Sequence, residues 1–292
     1  MGALAKVEGL TFTKADYLAR KKRALENIDE RKEYAVGDVI HCKYCDRIKS
    51  LDMPERNFYI NAHCACLDEK ARQEKALAER LERAKQYKEY NERSLPTEVR
   101  NATFYRIVDK DSSEEYLTIC ERCEKFCRNF QAVKKSGRGI WLYGEFDTGK
   151  SYLAAAILKT LQSDGVPAIF TTLGRIMEEL KASYNSANGN VLTEQGVMGL
   201  YSGVDCLIID GFQGIKSSKR GADSWTADKF CEIIQRRCDN NLPTVITCRS
   251  SIKELASNSM LPWGIVDRLA AKMVVMQLID CQRKVIQDEL EF

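Results

Sequence analysis

The chain has 292 residues, of which 44% are hydrophobic and 30% are charged, enough for one full-sized domain and a smaller one. Its net charge of +3 neither requires nor excludes a nucleic-acid partner. The longest apolar run near the end, "MVVMQLI", is too short to cross a bilayer, and the first ten residues lack the apolar core of a signal peptide. We therefore expect a cytoplasmic protein without membrane contact.

Two differently patterned regions follow each other along the chain. Residues 14–32 read as a polar helical lead-in to a stretch rich in Cys and aromatic residues. Residues 67–93, highly charged and free of Gly and Pro, predict a solvated helix that ends before Pro96. Beyond it, the apolar runs "GIWLYG", "AIFTTL", "DCLIID" and "TVIT" alternate with helix-length segments. This alternation predicts an α/β fold, a parallel sheet with helices on both faces.

The first region has the cysteine spacing of a metal site. Twelve cysteines in a cytoplasmic chain are typical of metal ligands or reduced thiols. Four of them form two close pairs: Cys42, Cys45, Cys64 and Cys66. Such pairs suit a structural, tetrahedral zinc site, and of the two adjoining histidines, His41 and His63, the latter could replace one of the last two cysteines. The alternative is four reduced cysteines packed as small hydrophobic side chains.

A second group of cysteines lies in "CERCEKFC": Cys120, Cys123 and Cys127. Three thiols at this spacing admit a metal ion, but with Phe126 and Phe130 nearby they also match the buried face of a helix. We predict that these cysteines belong to the core.

The eight residues "GEFDTGKS" match the phosphate-binding pattern G-x4-GK[ST] in the strand–loop–helix context that it needs. In such a loop the backbone N–H groups hold the phosphates, Lys150 reaches the β- and γ-phosphates, and Ser151 is a ligand of Mg²⁺. The predicted nucleotide-binding residues are Gly144, Glu145, Phe146, Asp147, Thr148, Gly149, Lys150 and Ser151.

The run "VDCLIIDG" supplies the second half of a nucleotide site. It predicts a hydrophobic strand that ends in Asp210, placed to hold Mg²⁺ through water. The alternative is a buried strand that ends in an exposed Asp without a metal.

Several stretches together resemble the AAA+ ATPases that load replicative helicases in bacteria, the DnaC/DnaI type, a group that includes the transposition helper IstB. These stretches are "LPTEVRNATF", "YLAAAI", "AIFTTLGRIMEELKASY" and "FCEIIQRRCDNNLPTVIT". The resemblance runs from Leu95 to the end of the chain, and a zinc-bearing region with a helical linker is similar to the DnaI variety in architecture. It implies a zinc-binding, helicase-interacting domain at 1–66, a charged helical linker at 67–95 and an AAA+ ATPase domain at 96–292.

Position by position, the resemblance also identifies departures. The family loop has Gly where Asp147 stands, and Gly211 replaces the Asp or Glu that polarises the attacking water. Arg249 stands at the sensor position, usually Asn, whereas Arg268 matches the arginine that reaches a neighbour's γ-phosphate. The implied catalytic residues are thus Asp210, Arg249 and Arg268, with Gln213 as another residue that could orient water. Because general-base help is worth ~10²–10⁴-fold, we expect ATP or ADP to bind with Mg²⁺ and hydrolysis to be weak or absent.

Candidate DNA contacts are less specific. Residues 216–220, "KSSKR", could touch phosphates or form a solvated loop. The helix predicted at Leu173–Tyr184 occupies the segment where initiators and loaders place a DNA-contacting insertion, which implies contacts by Lys181, Ser183 and Tyr184, although its periodicity is that of an ordinary surface helix.

The resulting interpretation is a helicase loader, of bacterial or phage origin, that binds ATP and single-stranded DNA, self-associates through its AAA+ domain and delivers or remodels a hexameric helicase. One alternative is a catalytically inactive AAA+ protein that inhibits a host helicase or loader. The other is an IstB-like transposition helper, which the N-terminal zinc domain disfavours.

Overall fold

The computed structural model describes residues 13–56, 58–61, 64–107, 113–184, 192–215 and 222–279. The chain divides into two compact units, Met1–Glu79 and Arg80–Phe292, and the division falls within one long helix. Of the helices in these described ranges, none has the length and apolarity to span a membrane.

The first unit is built from one helix and two antiparallel hairpins, followed by the start of the long helix. Its elements are α1 (Lys14–Glu26), β1 (Glu33–Val36), β2 (Val39–Cys42), β3 (Ser50–Met53), β4 (Phe58–Asn61) and the first part of α2 (Ala65–Ser94). Helix α1 is shorter than the predicted lead-in, because Asn27 caps its end by donating to the Arg23 carbonyl at 2.8 Å. Tyr17 of α1 is buried, and its hydroxyl donates to Asp52 of β3 at 2.8 Å.

The second unit contains a five-stranded parallel sheet, which confirms the predicted α/β fold. Its strands are β5 (Gly139–Gly144), β6 (Ala168–Thr171), β7 (Cys206–Phe212), β8 (Thr244–Cys248) and β9 (Met273–Leu278), in the order β6-β7-β8-β5-β9. Its helices, besides the end of α2, are α3 (Glu114–Arg128), α4 (Phe130–Ser136), α5 (Lys150–Ser163), α6 (Leu173–Tyr184), α7 (Glu194–Gly203), α8 (Ala222–Asp239), α9 (Ile252–Ser257) and α10 (Trp263–Lys272). Strand β9 was not predicted as a strand.

The sheet separates two hydrophobic cores. Ile140 and Leu142 of β5 pack on the face covered by α3 and α5, whereas Trp141 between them packs on the face covered by α6 to α10. Cys120, Cys123 and Cys127 of α3 are buried in the first of these cores, as predicted. Because the strands are parallel, all their carboxyl ends lie at one edge of the sheet, where ligand sites of such sheets form.

The end of α2 covers the edge of the sheet. Asn91 is fully buried, and its side-chain amide donates to the Ala168 carbonyl at 2.7 Å and accepts from the Phe170 amide at 2.8 Å. This side chain pairs with β6 as a neighbouring strand would, so it satisfies backbone groups that an edge strand otherwise leaves open. The charged, solvated character predicted for residues 67–93 therefore holds for most of α2 but not for Ala84 and Asn91, which are buried.

Candidate nucleotide site and metal centre

The loop between β5 and α5 has the backbone shape of a phosphate cradle. Gly149 has φ 82°, and a Cβ added there would lie 2.7 Å from the Tyr116 hydroxyl. Asp147, where the family has Gly, also has a left-handed φ of 58°. Asp adopts this conformation more readily than most residues, and successive N–H groups in such a turn converge on an anion. Asp147 is exposed, so solvent and salt screen its carboxylate.

Lys150 is folded over its own loop. Its amine donates to the Thr148 hydroxyl at 2.9 Å and to the Glu145 carbonyl. Burial lowers the pKa of Lys150, and the positive charge of Arg249 acts in the same direction, against Glu145 and Asp210. An anion in the cradle would offset both effects, because it stabilises the charged amine.

Asp210 is held at the carboxyl end of β7 by a residue of the next strand. The buried Thr247 hydroxyl donates to Asp210 at 2.6 Å and accepts from the Gly211 amide at 2.8 Å. Thr247 was not among the predicted site residues. The sequence did contain a signal for it, a polar residue at the end of the apolar run "TVIT". A hydroxyl buried at such a position requires a hydrogen-bond partner.

Gly211 lies in an irregular part of β7, where the register with β8 shifts between Ile209 and Phe212. Its φ is 67°, and no atom lies within 4 Å of the position that an added Cβ would occupy. There is room for a side chain here, but the left-handed backbone strains any residue other than Gly.

Several of these residues line a cleft of about 300 Å³. Its wall includes loop residues 146–151, together with Gly211, Gln213, Thr247 and Arg249. The guanidinium of Arg249 stacks 3.2 Å from the centroid of the Phe146 ring. Glu98 and Val99, from a short turn after Pro96, also contribute to the wall and were not predicted to do so.

Of the predicted site residues, Arg249 and residues 146–151 thus line one cleft. Gly144, Glu145 and Asp210 are not part of its wall, although Thr247, which is, holds Asp210 beside it. Arg268 of α10 is absent from the cleft wall and donates to Asp239, at the end of α8, at 2.7 Å. A residue that acts on a neighbour's nucleotide need not face its own, so this placement leaves the role of Arg268 a prediction.

In the first unit the four paired cysteines converge. The sulfur atoms of Cys42, Cys45, Cys64 and Cys66 all lie within 4.8 Å of one another, and the shorter separations are 3.2–3.4 Å. Zinc–sulfur bonds of about 2.3 Å in a tetrahedron place sulfur atoms about 3.8 Å apart, so the donor set fits zinc. His41 stacks on Tyr34 instead of joining the cluster, and His63 lies outside the described residues.

The chemistry of Cys42 also suits a metal ligand. Burial raises the pKa of its thiol, but hydrogen bonds from the amides of Tyr44 and Cys45 and from the thiols of Cys66 and Cys45 lower it to about 6. Backbone N–H groups that point at a sulfur stabilise the thiolate, which is the form that binds zinc.

The candidate DNA residues lie at the end of α6. The Lys181 amine is 5.7 Å from the centroid of the Trp225 ring, and the ring of Tyr184, 53% exposed, meets Trp225 edge to face at 6.2 Å. Ser183 donates to the Leu180 carbonyl at 2.6 Å. Trp225 was not predicted, and the basic run at 216–220 lies outside the described residues.

Comparison with known proteins now adds to this geometry. The chain is 27% identical over 155 residues to the replicative helicase loader DnaI of Bacillus subtilis, which is 53% of this chain and 46% of that protein. It is 25% identical over 162 residues to the replicative helicase loader DnaC of Escherichia coli K12, which is 54% of this chain and 62% of that protein. The chain is a homologue of the AAA+ helicase loaders of the DnaC/DnaI type. No family model matches it.

Comparison with solved structures supports the α/β fold described above for this chain. A crystal structure of the DnaC helicase loader has a TM-score of 0.52 and 20% identity to it, covering 63% of this chain and 100% of that one. At this identity the likeness establishes the AAA+ fold alone. The chain spans between about half and three fifths of the length of the two curated relatives, 46% and 62%.

Proposed function

We propose that this protein is a replicative helicase loader that binds Mg²⁺–ATP, contacts a hexameric helicase and single-stranded DNA, and hydrolyses ATP weakly or not at all. The observation that carries the proposal is the phosphate-binding loop, with its left-handed Asp147 and Gly149, in a homologue of DnaC and DnaI. The fold is common to many activities, so the homology selects among them and the cleft supplies the chemistry.

In the proposed complex, each part of the cleft has one task. The backbone N–H groups of the loop and the start of α5 hold the phosphates of ATP or ADP, and Lys150 leaves Glu145 and Thr148 for the β- and γ-phosphates. Ser151 and Asp210 hold Mg²⁺, which neutralises phosphate charge; Thr247 orients Asp210 for this task through its 2.6 Å hydrogen bond.

The same geometry supports weak hydrolysis. Water needs a carboxylate beside it, and position 211 carries no side chain. Gln213 lies on the cleft wall and could orient water without accepting its proton. Bound ATP would then act chiefly to join copies of the chain, with Arg268 leaving Asp239 for the neighbour's γ-phosphate.

The remaining contacts are assigned to other surfaces. The first unit, stabilised by zinc at Cys42, Cys45, Cys64 and Cys66, contacts the helicase. Single-stranded DNA binds near Lys181, Ser183 and Tyr184, where Trp225 adds a second aromatic ring close to a cation. Bases of any sequence stack on aromatic side chains, and lysines near them attract the phosphates.

A second function is favoured by Gly211. A protein that binds ATP but lacks the carboxylate for hydrolysis could hold a host helicase or loader in an inactive complex. Both functions use the same cleft, so they differ in the effect on the partner and not in nucleotide binding.

One experiment separates them. ATP binding and turnover are measured with and without a hexameric replicative helicase and single-stranded DNA, together with co-purification of the helicase. Helicase retention with increased unwinding supports the loader, and retention with decreased unwinding supports the inhibitor. Failure to bind either helicase or adenine nucleotide would contradict both.

A further inference from the structure

The two outer strands of the parallel sheet differ in what lies beside them. At one edge, the side chain of Asn91 forms hydrogen bonds with the backbone of β6. At the other edge, β9 pairs with β5 on its inner side, and no strand within the described residues lies along its outer side. An open edge presents a row of backbone N–H and C=O groups to which another extended chain can bind. The outer side of β9 is therefore a place where a further strand can be added.

Strand β9 lacks the features by which proteins usually protect an open edge. Its sequence, "MVVMQL", contains no charged residue and no Pro. Its register with β5 is continuous from Met273 to Leu278, without a bulge. The side chains of Val274 and Val275 are 40% and 44% exposed. An apolar, regular edge of this kind favours the addition of a strand.

A groove of about 340 Å³ lies beside this edge, between β9 and the helices α3 and α4. Val274 lines the groove, together with Phe126 of α3 and Val133 of α4. Its surface is almost entirely apolar. Side chains of an added strand that point toward this face would therefore be stabilised there if they are apolar.

Two cations border the groove, and they indicate the charge of what binds there. Lys125 of α3 and Arg138, which follows α4, are exposed, and neither forms an ion pair with a described residue. No acidic residue lines the groove. A segment that brings carboxylates would be attracted to both cations. A second copy of this chain, paired edge to edge, would instead bring a second set of the same positive charges to the junction, so the charges disfavour it.

We propose that the groove and the outer edge of β9 bind an extended segment of another protein, in which apolar residues are flanked by acidic ones. The backbone of this segment adds a strand to β9. Its apolar side chains lie in the groove with Val274, and its carboxylates contact Lys125 and Arg138. The groove shares no residue with the nucleotide cleft, so this surface can be tested independently of the proposed function.

The test is fluorescence anisotropy of a labelled peptide, Glu-Thr-Val-Thr-Val-Thr-Glu, titrated with the whole chain. When extended, this peptide places its Val and Glu side chains on one face. It should bind about tenfold more tightly than the same peptide with Lys in place of Glu, because two attractions become repulsions. Lys125→Ala and Arg138→Ala should each weaken binding by about two- to fivefold, the range of exposed ion pairs. The matched control, Lys135→Ala, removes an exposed cation of α4 outside the groove and should leave the affinity unchanged.

Hydrogen exchange tests the backbone contact separately. The bound peptide should slow exchange at the amides of β9 and leave those of β6 unchanged, because the β6 edge already pairs with Asn91. Methylation of alternate peptide amides should abolish binding for one of the two alternate sets, since only one set faces β9.

Several results would overturn the proposal. Equal affinity for the acidic and the basic peptide would contradict the role of Lys125 and Arg138, and binding without protection of β9 would contradict strand addition. Absence of peptide binding would also overturn the proposal. If the amides of β9 are then already protected, this chain itself or a second copy covers the edge, and sedimentation velocity distinguishes these two occupants.

Discussion

The two units of this protein are built around different features, a cluster of cysteines in the first and two hydrophobic cores in the second. The first has four-residue strands and four converging sulfur atoms, whereas the second buries a five-stranded sheet between two hydrophobic cores. Cysteine occurs in both, with opposite outcomes: Cys42 faces three other thiols, and Cys123 is buried among apolar side chains of α3. A small unit without its own core gains stability from a metal, while a large one folds first and then positions a ligand.

The largest expected effect is on the first unit when its metal is removed. Cys42→Ser or a strong chelator should release about one zinc per chain, following the four-ligand rule. It should unfold the first unit, because structural zinc in small peptides contributes ~10–16 kcal/mol of binding free energy. Elemental analysis measures the metal, and hydrogen exchange of each unit measures the unfolding.

The matched control is Cys123→Ala, in the other group of cysteines. It should keep the zinc and lower the stability of the second unit, since deletion of a buried group leaves a cavity. A purified protein whose first unit is folded without bound metal would contradict the prediction that zinc stabilises this unit, and with it the contrast between the two units.

Removal of the Lys150 amine should weaken ATP binding by the second unit without unfolding that unit. Lys150→Ala should weaken ATP binding by about 10–100-fold, because charge-assisted hydrogen bonds contribute ~1.5–3 kcal/mol each. Its unfolding temperature without nucleotide should stay close to that of the unmutated protein, since the Lys150 amine contacts its own loop. Titration calorimetry and thermal unfolding measure the two effects. Lys159→Ala, farther along α5, should bind ATP normally.

A carboxylate introduced at position 211 tests whether the second unit lacks a general base for ATP hydrolysis. Gly211→Asp should raise ATP turnover by about tenfold or more, as expected from the ~10²–10⁴-fold range of general-base catalysis. We choose Asp because it tolerates a left-handed φ better than Glu. The expected cost in stability is about 1–2 kcal/mol. Steady-state phosphate release measures the turnover.

Gly211→Ala is the control for this prediction, because it brings the same backbone strain without a carboxylate. It should be destabilised and remain a poor ATPase. Brisk turnover by the unmutated protein, unchanged in Gly211→Asp, would show that another residue activates water, and Gln213→Ala would then be the next variant to measure.

The smallest effect is expected at Asp147. Asp147→Gly should change ATP affinity by no more than about threefold, because Asp147 already holds φ 58° and its exposed carboxylate is screened. The difference should shrink further as salt is raised, which titrations at two ionic strengths would measure. If ATP binds to the Asp147→Gly variant and not to the unmutated protein, the Asp147 carboxylate prevents phosphate binding by the loop.

Local patterns in the sequence were sufficient for much of this architecture. Apolar runs predicted four of the five parallel strands, and the loop pattern predicted the strand–loop–helix arrangement of β5 and α5. The paired spacing of Cys42, Cys45, Cys64 and Cys66 predicted a cluster that the structure brings together. Each of these signals consists of neighbours along the chain, whose physical preferences act over a few residues.

The features that the sequence did not predict depend on contacts between residues far apart in the chain. Strand β9 became a strand because it pairs along β5, and Asn91 is buried because its amide replaces a missing neighbour of β6. Thr247 holds Asp210 from 37 positions away in the sequence, and Arg249 meets Phe146 across the cleft. Hydrogen bonds and ring contacts of this kind have no period or spacing along the chain, so they arise only when the strands and helices assemble; those of Thr247 and Arg249 form where the carboxyl ends of the parallel strands meet.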